Sequence, residues 1–310
     1  MAQMLDRPAP DGARSVSWPW YHHLLTTELT PDARTILEKY SGIAPEDVES
    51  HIYSVRDKAW GIFPWPCVGE FWFIRFGLAL HPLYKTMVLP RLQAGSSMLD
   101  LGSCLGQDIR KCIVDGAPAE NLYASDLFAE YESLSYDLWR DEDVFRPGQF
   151  FADDILADND LFTRGPLMTQ IGPGQLDIIS ITMFLHLFNW RNQLRAATRI
   201  LRLLSHKPGS LILGSQAGSV NAGELPLKPP FAATAGIDKR TVFRHNPESF
   251  ERLWTEAGAA VGVPLRVTAV FQAPDAFGKG VDSGFDISPK DKKYVTGAET
   301  RRLYFSVMRV

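Results

Sequence analysis

Acidic residues stand at the ends of three successive apolar segments in the middle of the chain. Asp100 closes "SSMLD", Asp126 closes "NLYASD", and the pair Asp153 and Asp154 follows "QFFA". In open α/β sheets the carboxyl ends of parallel strands meet at one edge, and ligands bind there. A carboxylate that ends the second strand can accept hydrogen bonds from ribose hydroxyls, and one that ends the third can accept from an adenine amino group. The spacing therefore predicts a nucleoside held across three strand ends.

The turn after the first apolar segment, "LDLGSCLGQD", resembles the loops that approach nucleotides closely. Gly102 and Gly106 allow a sharp bend that residues with a Cβ rarely adopt. A Walker loop would place Gly-Lys-Ser/Thr here, whereas Gln107 and Asp108 follow the second glycine. The dinucleotide pattern GxGxxG is not matched either, because Cys104 stands in the middle of the loop.

Negative charge near this turn argues against a phosphate ligand. Asp100, Asp108 and Asp115 all lie within or close to it, and carboxylates repel a pyrophosphate. A ligand that carries a cationic amino group suits Asp100 better.

The elements that must position these residues alternate along the chain. Short apolar runs and amphipathic stretches predict an α/β fold with a mainly parallel sheet and helices on both faces. The last two strands could form an antiparallel pair at one end. The predicted strands are 97–102, 121–127, 149–156, one within 174–188, 208–218, 264–271 and 301–310. The predicted helices are 30–40, an interrupted one within 68–93, 107–116, 130–143, 191–205 and 246–258.

The chain divides by composition into two segments. Residues 1–90 read as an aromatic-rich helical cap, in which 1–17 is expected to be loosely attached, and residues 91–310 read as the α/β domain. The aromatic side chains of 59–76 either pack on the core or form a lid over an apolar ligand pocket. Residues 219–244 and 272–300 are expected to be surface loops or caps on the substrate side.

Taken together, these motifs resemble those of class I S-adenosylmethionine-dependent methyltransferases. The residues that carry the resemblance are "LDLGSCLGQ", "YASDL", "FADDIL" and "LDIISITMFLHLF". The resemblance implies a Rossmann-like sheet of seven strands. More narrowly, "FPWPCVGEFWFI" and "ILRLLSHKPGSLILGSQAG" resemble fungal methyltransferases of meroterpenoid and polyketide clusters, including carboxyl methyltransferases of the austinol and terretonin type.

The resemblance implies S-adenosyl-L-methionine as cofactor and suggests which residues bind it. Asp126 would bind the ribose, and Asp154 the adenine, with Asp153 as the alternative one residue away. Cys104 departs from the common Gly-x-Gly-x-Gly loop, and we interpret it as a small residue tolerated in the turn. The implied cofactor residues are Asp100, Gly102, Cys104, Gly106, Gln107, Asp126, Leu127, Asp153, Asp154, Ile155, Thr182 and Met183.

Candidates for the substrate side are less constrained by sequence. His186 follows the fourth strand and is the predicted general base, with the alternative that it is a structural histidine at a helix start. A carboxylate acceptor needs no base, whereas a phenol or enol benefits from one. The candidate substrate residues are Tyr53, Trp60, Trp65, Phe184 and His245.

Composition narrows the function classes. The 310 residues carry a net charge of -4, with no basic stripe and interleaved aromatics that would indicate nucleic-acid binding. No apolar run is long enough for a membrane span, and no signal peptide is visible, so a cytoplasmic protein is expected. Cys67, Cys104 and Cys112 lack the spacing of a zinc site, and no metal is predicted. The oligomeric state stays open, a homodimer being one alternative.

Three hypotheses follow for activity. The first is an O-methyltransferase that acts on a carboxyl or acidic hydroxyl of an apolar small molecule in fungal secondary metabolism. The second keeps the bound cofactor but catalyses an isomerisation or cyclisation without methyl transfer, because a fold does not fix the reaction. The third is a binding protein with a vestigial site, which the complete set of acidic residues disfavours.

Overall fold

Seven strands form one sheet at the centre of the protein. The computed structural model describes residues 14–226, 241–271 and 300–310; most of the expected N-terminal tail and of the two predicted loops lies outside them. The described strands are β1 Met98–Leu101, β2 Leu122–Asp126, β3 Phe150–Ala152, β4 Ile178–Ser180, β5 Leu211–Ser219, β6 Gly223–Pro226, β7 Thr241–Arg244, β8 Leu265–Phe271 and β9 Thr300–Arg309.

The sheet has the order β3-β2-β1-β4-β5-β9-β8. The first five strands of this order are parallel, and β9 runs antiparallel to both β5 and β8. The order reverses between β1 and β4, so a crevice opens beyond the carboxyl ends of these strands. The predicted seven-stranded, mainly parallel sheet with an antiparallel end pair is confirmed.

Helices cover both faces of this sheet. They are α1 Pro31–Thr35, α2 Val48–Ile62, α3 Pro66–Gly69, α4 Leu89–Gln93, α5 Gln107–Val114, α6 Glu130–Trp139, α7 Asn159–Arg164, α8 Trp190–Leu203 and α9 Pro247–Val261. Short helical turns of other types occupy Ile36–Tyr40, Trp72–Ile74, Tyr84–Val88, Ala119–Asn121, Leu167–Ile171 and Leu185–Leu187. None of the helices in the described ranges is both long and apolar enough to cross a bilayer.

Local capping explains where several helices begin. Thr30 accepts the Ala33 N–H at 3.1 Å, and Pro31 occupies the first helical position of α1. Asn246 forms a capping box with Ser249 at the start of α9. Because both caps are formed by residues close in sequence, the starts of α1 and α9 can be predicted without knowledge of the tertiary packing.

The core lies on both faces of the sheet. Alternate residues of the parallel strands point in opposite directions, so Met98 belongs to one buried cluster and Leu99 to the other. The cluster around Met98 is continuous with Ile52 and Val55 of α2, whereas the cluster around Leu99 includes Ile200 of α8. The N-terminal cap is therefore packed directly on one face of the sheet.

The interrupted helix predicted for 68–93 is confirmed only in part. The structure has α3, the turn Trp72–Ile74, irregular backbone and then Tyr84–Gln93. Phe71 adopts a left-handed conformation with φ of 58° and is fully buried. Burial of a large aromatic ring outweighs helix propensity here, since propensity differences are below about 1 kcal/mol per residue.

The predicted loop at 219–244 contains two strands among its described residues. β6 and β7 pair antiparallel, with Gly223 opposite Arg244. This small second sheet lies next to the turn Leu185–Leu187, since the Phe243 N–H donates to the Phe188 carbonyl at 2.8 Å. It therefore borders the place where His186 is held.

Candidate active site

Two adjoining cavities lie beyond the carboxyl ends of β1, β2, β3 and β4, beneath the N-terminal cap. The larger has a volume of about 960 Å³, part of which is open to solvent, and it is lined mainly by apolar and aromatic side chains. The smaller has about 700 Å³ and is lined by several charged ones, and we call it the charged cavity. Both cavities are lined by Cys67, Trp72, Gly102, Cys104 and Met183.

The turn between β1 and α5 forms the wall between the two cavities. Gly102 has φ of +79°, and a Cβ there would overlap the Phe184 ring. Gly106 has φ of +67° and is the residue before the first turn of α5. Both glycines are therefore required by backbone conformation, and the first also by the close approach of an aromatic ring.

Cys104 adopts a left-handed backbone conformation with φ of 52°. This conformation is the reason that glycine is usual at such positions. Its N–H donates to Asp126 Oδ2 at 2.9 Å, which ties the turn to the end of β2. The loop thus follows the path of a glycine loop with a cysteine in the strained position.

Asp126 is half-buried at the end of β2 and lines the larger cavity. Its other oxygen accepts the Leu127 N–H at 2.7 Å, and Leu127 lines the same cavity. Burial raises the pKa of Asp126 to about 6, although the hydrogen bonds from backbone N–H groups oppose that rise. The Cys104 and Leu127 N–H groups each occupy one lone pair on a different carboxylate oxygen, and a carboxylate has about four acceptor sites, so acceptor capacity remains for a ligand.

The two acids after β3 have different surroundings. Asp153 Oδ2 accepts the Leu167 N–H at 2.9 Å and lies against Gly165. Asp154 Oδ1 accepts the Leu156 N–H at 2.8 Å, while Asp154 Oδ2 is buried without a partner among the described residues. Both acids and Ile155 line the larger cavity. The unpaired acceptor of Asp154 needs a donor, which a bound ligand can supply.

The turn after β4 lies between the two cavities. Thr182 and Met183 line the charged cavity, and Met183 and Phe184 line the larger one. Met183 has a positive φ of 55°, and its N–H donates to the Ser215 carbonyl at 2.6 Å. Strained backbone held by neighbouring strands is common at functional sites.

His186 is buried in the turn Leu185–Leu187 and lines the larger cavity. Its Nδ1 has no partner among the described residues, and its carbonyl accepts a hydrogen bond from Arg244. Burial, together with the positive charges of Arg244 and Arg302, holds the pKa of His186 well below its usual value. The ring is therefore neutral at physiological pH, and a neutral imidazole has one nitrogen that can accept a hydrogen bond.

The structure separates the candidate substrate residues. Trp65 and Phe184 line the larger cavity. Tyr53 accepts the Leu25 N–H at 2.7 Å, and Trp60 donates to the Arg14 carbonyl at 3.0 Å; neither lines a described cavity.

The expected reach of His245 into the cleft is not seen. Its Nδ1 and Nε2 are each 2.9 Å from a side-chain oxygen, of Ser249 and Gln193 respectively. Burial lowers the pKa of His245 to about 3. The ring lies in a structural network at the start of α9.

The charged cavity holds residues that sequence reasoning left unassigned. Asp108, on the first turn of α5, and Arg75 of the cap line it together with Asp100, Gln107 and Arg302. Asp108 directly follows Gln107, which the sequence analysis assigned to the cofactor, so its position in the sequence could have indicated that it lies at the site. Arg302 lies about two hundred residues further along the chain, and nothing in its local sequence marks it.

The three cysteines are free, and the described residues contain no cluster of three or more side chains suited to a metal ion. Cys67 and Cys104 are neighbours across the two cavities, and contact with Cys67 together with burial raises the pKa of the Cys104 thiol. Cys104 is therefore protonated and weakly nucleophilic at neutral pH.

Comparison with known proteins gives a consistent set of relatives. Residues 20–74 match the family described as the meroterpenoid methyltransferase N-terminal domain. The chain is 36% identical to O-methyltransferase atr3 of Stereocaulon alpinum, over 94% of this chain and 76% of that protein. It is 35% identical to methyltransferase trt5 of Aspergillus terreus, over 87% and 88%. Among solved structures, trans-methyltransferase CalH is similar with a TM-score of 0.48 at 11% identity, over 89% and 71%.

Proposed function

The chain belongs to the fungal methyltransferase family of these relatives, and we propose that it transfers a methyl group from S-adenosyl-L-methionine to oxygen. The acceptor is a carboxyl group or an acidic hydroxyl of an apolar small molecule in secondary metabolism. The observation that carries this proposal is that Asp154 Oδ2, which is buried without a partner among the described residues, lies in the same cavity as Asp126.

The donor set fits an adenosine group. Asp126 has free lone pairs for two ribose hydroxyls, and Asp154 Oδ2 can accept from the exocyclic amine of adenine. Leu127 and Ile155 line the same cavity and would cover the faces of the base. Each of the two acids accepts one backbone N–H, but only Asp154 has a buried oxygen without a partner among the described residues, so Asp154 is the better candidate.

The methyl group would be transferred near Met183 and Phe184. When bound, the cofactor supplies a methyl group on a positively charged sulfur, which makes the thioether a good leaving group. Trp65, Phe184 and Phe188 line the larger cavity and would exclude water there. The residues therefore contribute mainly alignment and a dry environment.

His186 is the proposed proton acceptor for a hydroxyl substrate. Its neutral ring and the unpartnered Nδ1 allow it to receive the proton as the oxygen attacks. A carboxylate acceptor is already ionised and would need His186 only for positioning. The same side chain therefore serves either acceptor class.

The three free thiols favour a reducing compartment, and we place the enzyme in the cytoplasm on that ground. We also propose that residues 1–90 act as a cap on the domain of residues 91–310, since Trp65, Cys67 and Trp72 contribute to the walls of the cofactor cavities.

Asp126→Asn tests the cofactor assignment. An amide nitrogen would face the N–H of Cys104 or Leu127 and would leave one acceptor fewer for the ribose, so we expect S-adenosylmethionine to bind about ten-fold more weakly or worse. Isothermal titration calorimetry measures this loss. Asp137→Asn, at an exposed ion pair with Lys58, is the matched control and should bind normally. Undiminished binding by Asp126→Asn would contradict the ribose assignment.

A further inference from the structure

Arg244, the last residue of β7, carries a positive charge that no acid neutralises in the part of the chain that the structure describes. No ion pair there joins its guanidinium to an Asp or Glu. Its Nε is buried without a partner within the same ranges, and one terminal nitrogen donates to the His186 carbonyl. Buried charges in proteins are normally paired, so this guanidinium is suited to an anionic ligand.

The charges around Arg244 do not compensate it. Glu224 of β6 is exposed, and its carboxylate accepts the Trp190 N–H at 2.9 Å. Arg302 adds a second positive charge, since it acts together with Arg244 on the pKa of His186. Burial lowers the pKa of His245 to about 3, so this neighbouring ring is neutral. The surroundings of His186 are therefore positively charged.

Hydrogen bonds fix β7 against the turn Leu185–Leu187. The Phe243 N–H donates to the Phe188 carbonyl at 2.8 Å. The Gln193 amide bridges the same two residues, because its Nε2 donates to the Phe188 carbonyl at 2.9 Å and to the Phe243 carbonyl at 3.0 Å. Arg244 is thus held in place beside His186 before a ligand binds, which lowers the entropic cost of binding.

His186 connects Arg244 with the larger cavity. The ring is 8% exposed and lines that cavity, and its Nδ1 has no partner in the described ranges. In the tautomer with hydrogen on Nδ1, the ring can donate a hydrogen bond to an anion. Met183 and Phe184, near which the methyl group would be transferred, directly precede this turn and line the same cavity.

We propose that Arg244 and His186 form an anion-binding subsite beside the larger cavity, and that this subsite holds the ionised carboxylate of the molecule to be methylated. One carboxylate oxygen pairs with Arg244, and the other attacks the methyl carbon. A carbon–oxygen bond forms, the bond from methyl carbon to sulfur breaks with its electron pair left on sulfur, and the product is a methyl ester without release of a proton. This inference rests on the proposed function, from whose two acceptor classes it selects the carboxylate.

A neutral hydroxyl acceptor fits this corner less well. It would leave the charge of Arg244 without a partner. A histidine whose pKa is held well below its usual value is also a weak base, which suits the ring to hydrogen bonding rather than to removing a proton.

Naphthoate and its uncharged amide, naphthamide, test the subsite directly. Both are apolar aromatic probes of nearly the same shape, and only naphthoate carries a negative charge. Calorimetry on the protein saturated with S-adenosylhomocysteine should show that naphthoate binds at least about ten-fold more tightly than naphthamide. Inorganic phosphate is the third probe, and it should bind more weakly than naphthoate because it gains nothing from the apolar cavity.

Three variants assign the preference to Arg244. Arg244→Gln keeps a polar side chain without the charge and should bind the two aromatic probes equally, whereas Arg244→Lys should keep part of the preference. Arg266→Gln, at an exposed position of β8, is the matched control and should keep all of it. Unchanged binding of S-adenosylhomocysteine shows that each variant is folded.

Several results would overturn the subsite. They are failure of naphthoate to bind, equal binding of naphthoate and naphthamide by the unmodified protein, an undiminished preference in Arg244→Gln, and phosphate binding as tight as that of naphthoate. The last result would mean that the site takes a free anion rather than an acceptor.

Methyl transfer to a fungal metabolite extract separates this inference from the proposed function. Mild alkali releases labelled methanol from an ester but not from an ether, and we expect release, with about ten-fold less ester formed by Arg244→Gln. An ether formed at an unchanged rate by Arg244→Gln would overturn the carboxylate subsite and leave the proposed function standing. If naphthoate binds as expected but no labelled product forms, the proposed function fails and the anion-binding site stands.

Discussion

The buried side chain of Asp100 destabilises the fold when it is ionised. Asp100 is buried with a pKa raised to about 7, so the folded protein binds a proton that the unfolded chain gives up at lower pH. The stabilising effect of this bound proton is fully present below the pKa that Asp100 has in the unfolded chain. It is lost as the pH rises through about 7, where the buried side chain ionises.

Asp100→Asn should therefore stabilise the ligand-free protein at alkaline pH. The pKa of Asp100 lies about three units above its ordinary value, and one unit corresponds to about 1.4 kcal/mol, so we expect the free energy of unfolding to rise by about 4 kcal/mol at about pH 8 and by less near about pH 5. Urea denaturation of the protein and the variant at both pH values measures this. Equal gains at the two pH values would contradict the assigned titration.

Cys104 provides a second effect at the level of one residue. A non-glycine residue in the left-handed region is disfavoured by about 1 kcal/mol. Cys104→Gly should remove this strain and stabilise the fold by up to about 1 kcal/mol, less the added entropy of the unfolded chain. Thermal unfolding compares it with Cys104→Ala, which keeps the strain. If the alanine variant is as stable as the glycine variant, backbone strain is not the determining factor.

Among the elements, a buried ion pair joins α5 to the segment that follows α6, and a tyrosine of the cap contacts it. Arg110 donates to both oxygens of Asp141, at 2.8 and 2.9 Å, and both side chains are almost fully buried. The Tyr40 hydroxyl donates to Asp141 Oδ2 at 2.6 Å, and burial next to Asp141 raises the pKa of Tyr40. This network fixes α5, and hence the turn that carries Gly102 and Cys104, against the cap.

Asp141→Ala should be strongly destabilising. It leaves the Arg110 guanidinium buried without its partner, which costs about 3–5 kcal/mol. Denaturant unfolding measures the change. Lys58→Ala, which breaks the exposed pair with Asp137, is the control and should cost less than about 1 kcal/mol. A similar small effect for both variants would show that the network does not hold the cap.

Sequence patterns were most informative for elements with local signals. The strand-end acids, the glycine turn and the capped helices α1 and α9 follow from residue types and short spacings. The irregular backbone around Phe71 was missed because its conformation is set by long-range aromatic packing. Tyr53 and Trp60 were proposed for the cavity although they serve the core, since aromatic side chains are as suited to one as to the other.

At the scale of the whole molecule, the sheet order brings distant segments to one site. The charged cavity combines Arg75 from the cap, Asp108 from α5 and Arg302 from β9. No spacing rule connects these three, because only the antiparallel insertion of β9 beside β5 places Arg302 there. The acidic half of the site could therefore be predicted in part, and its basic half could not.

Transfer of a labelled methyl group tests the central claim most directly. The protein is incubated with S-adenosylmethionine labelled in its methyl group and with an extract of apolar fungal metabolites, and the products are analysed by mass spectrometry. The account predicts an oxygen-linked product that carries one labelled methyl group, formed together with S-adenosylhomocysteine and much reduced with Asp126→Asn. A converted product of unchanged mass, with the labelled cofactor intact, would contradict it.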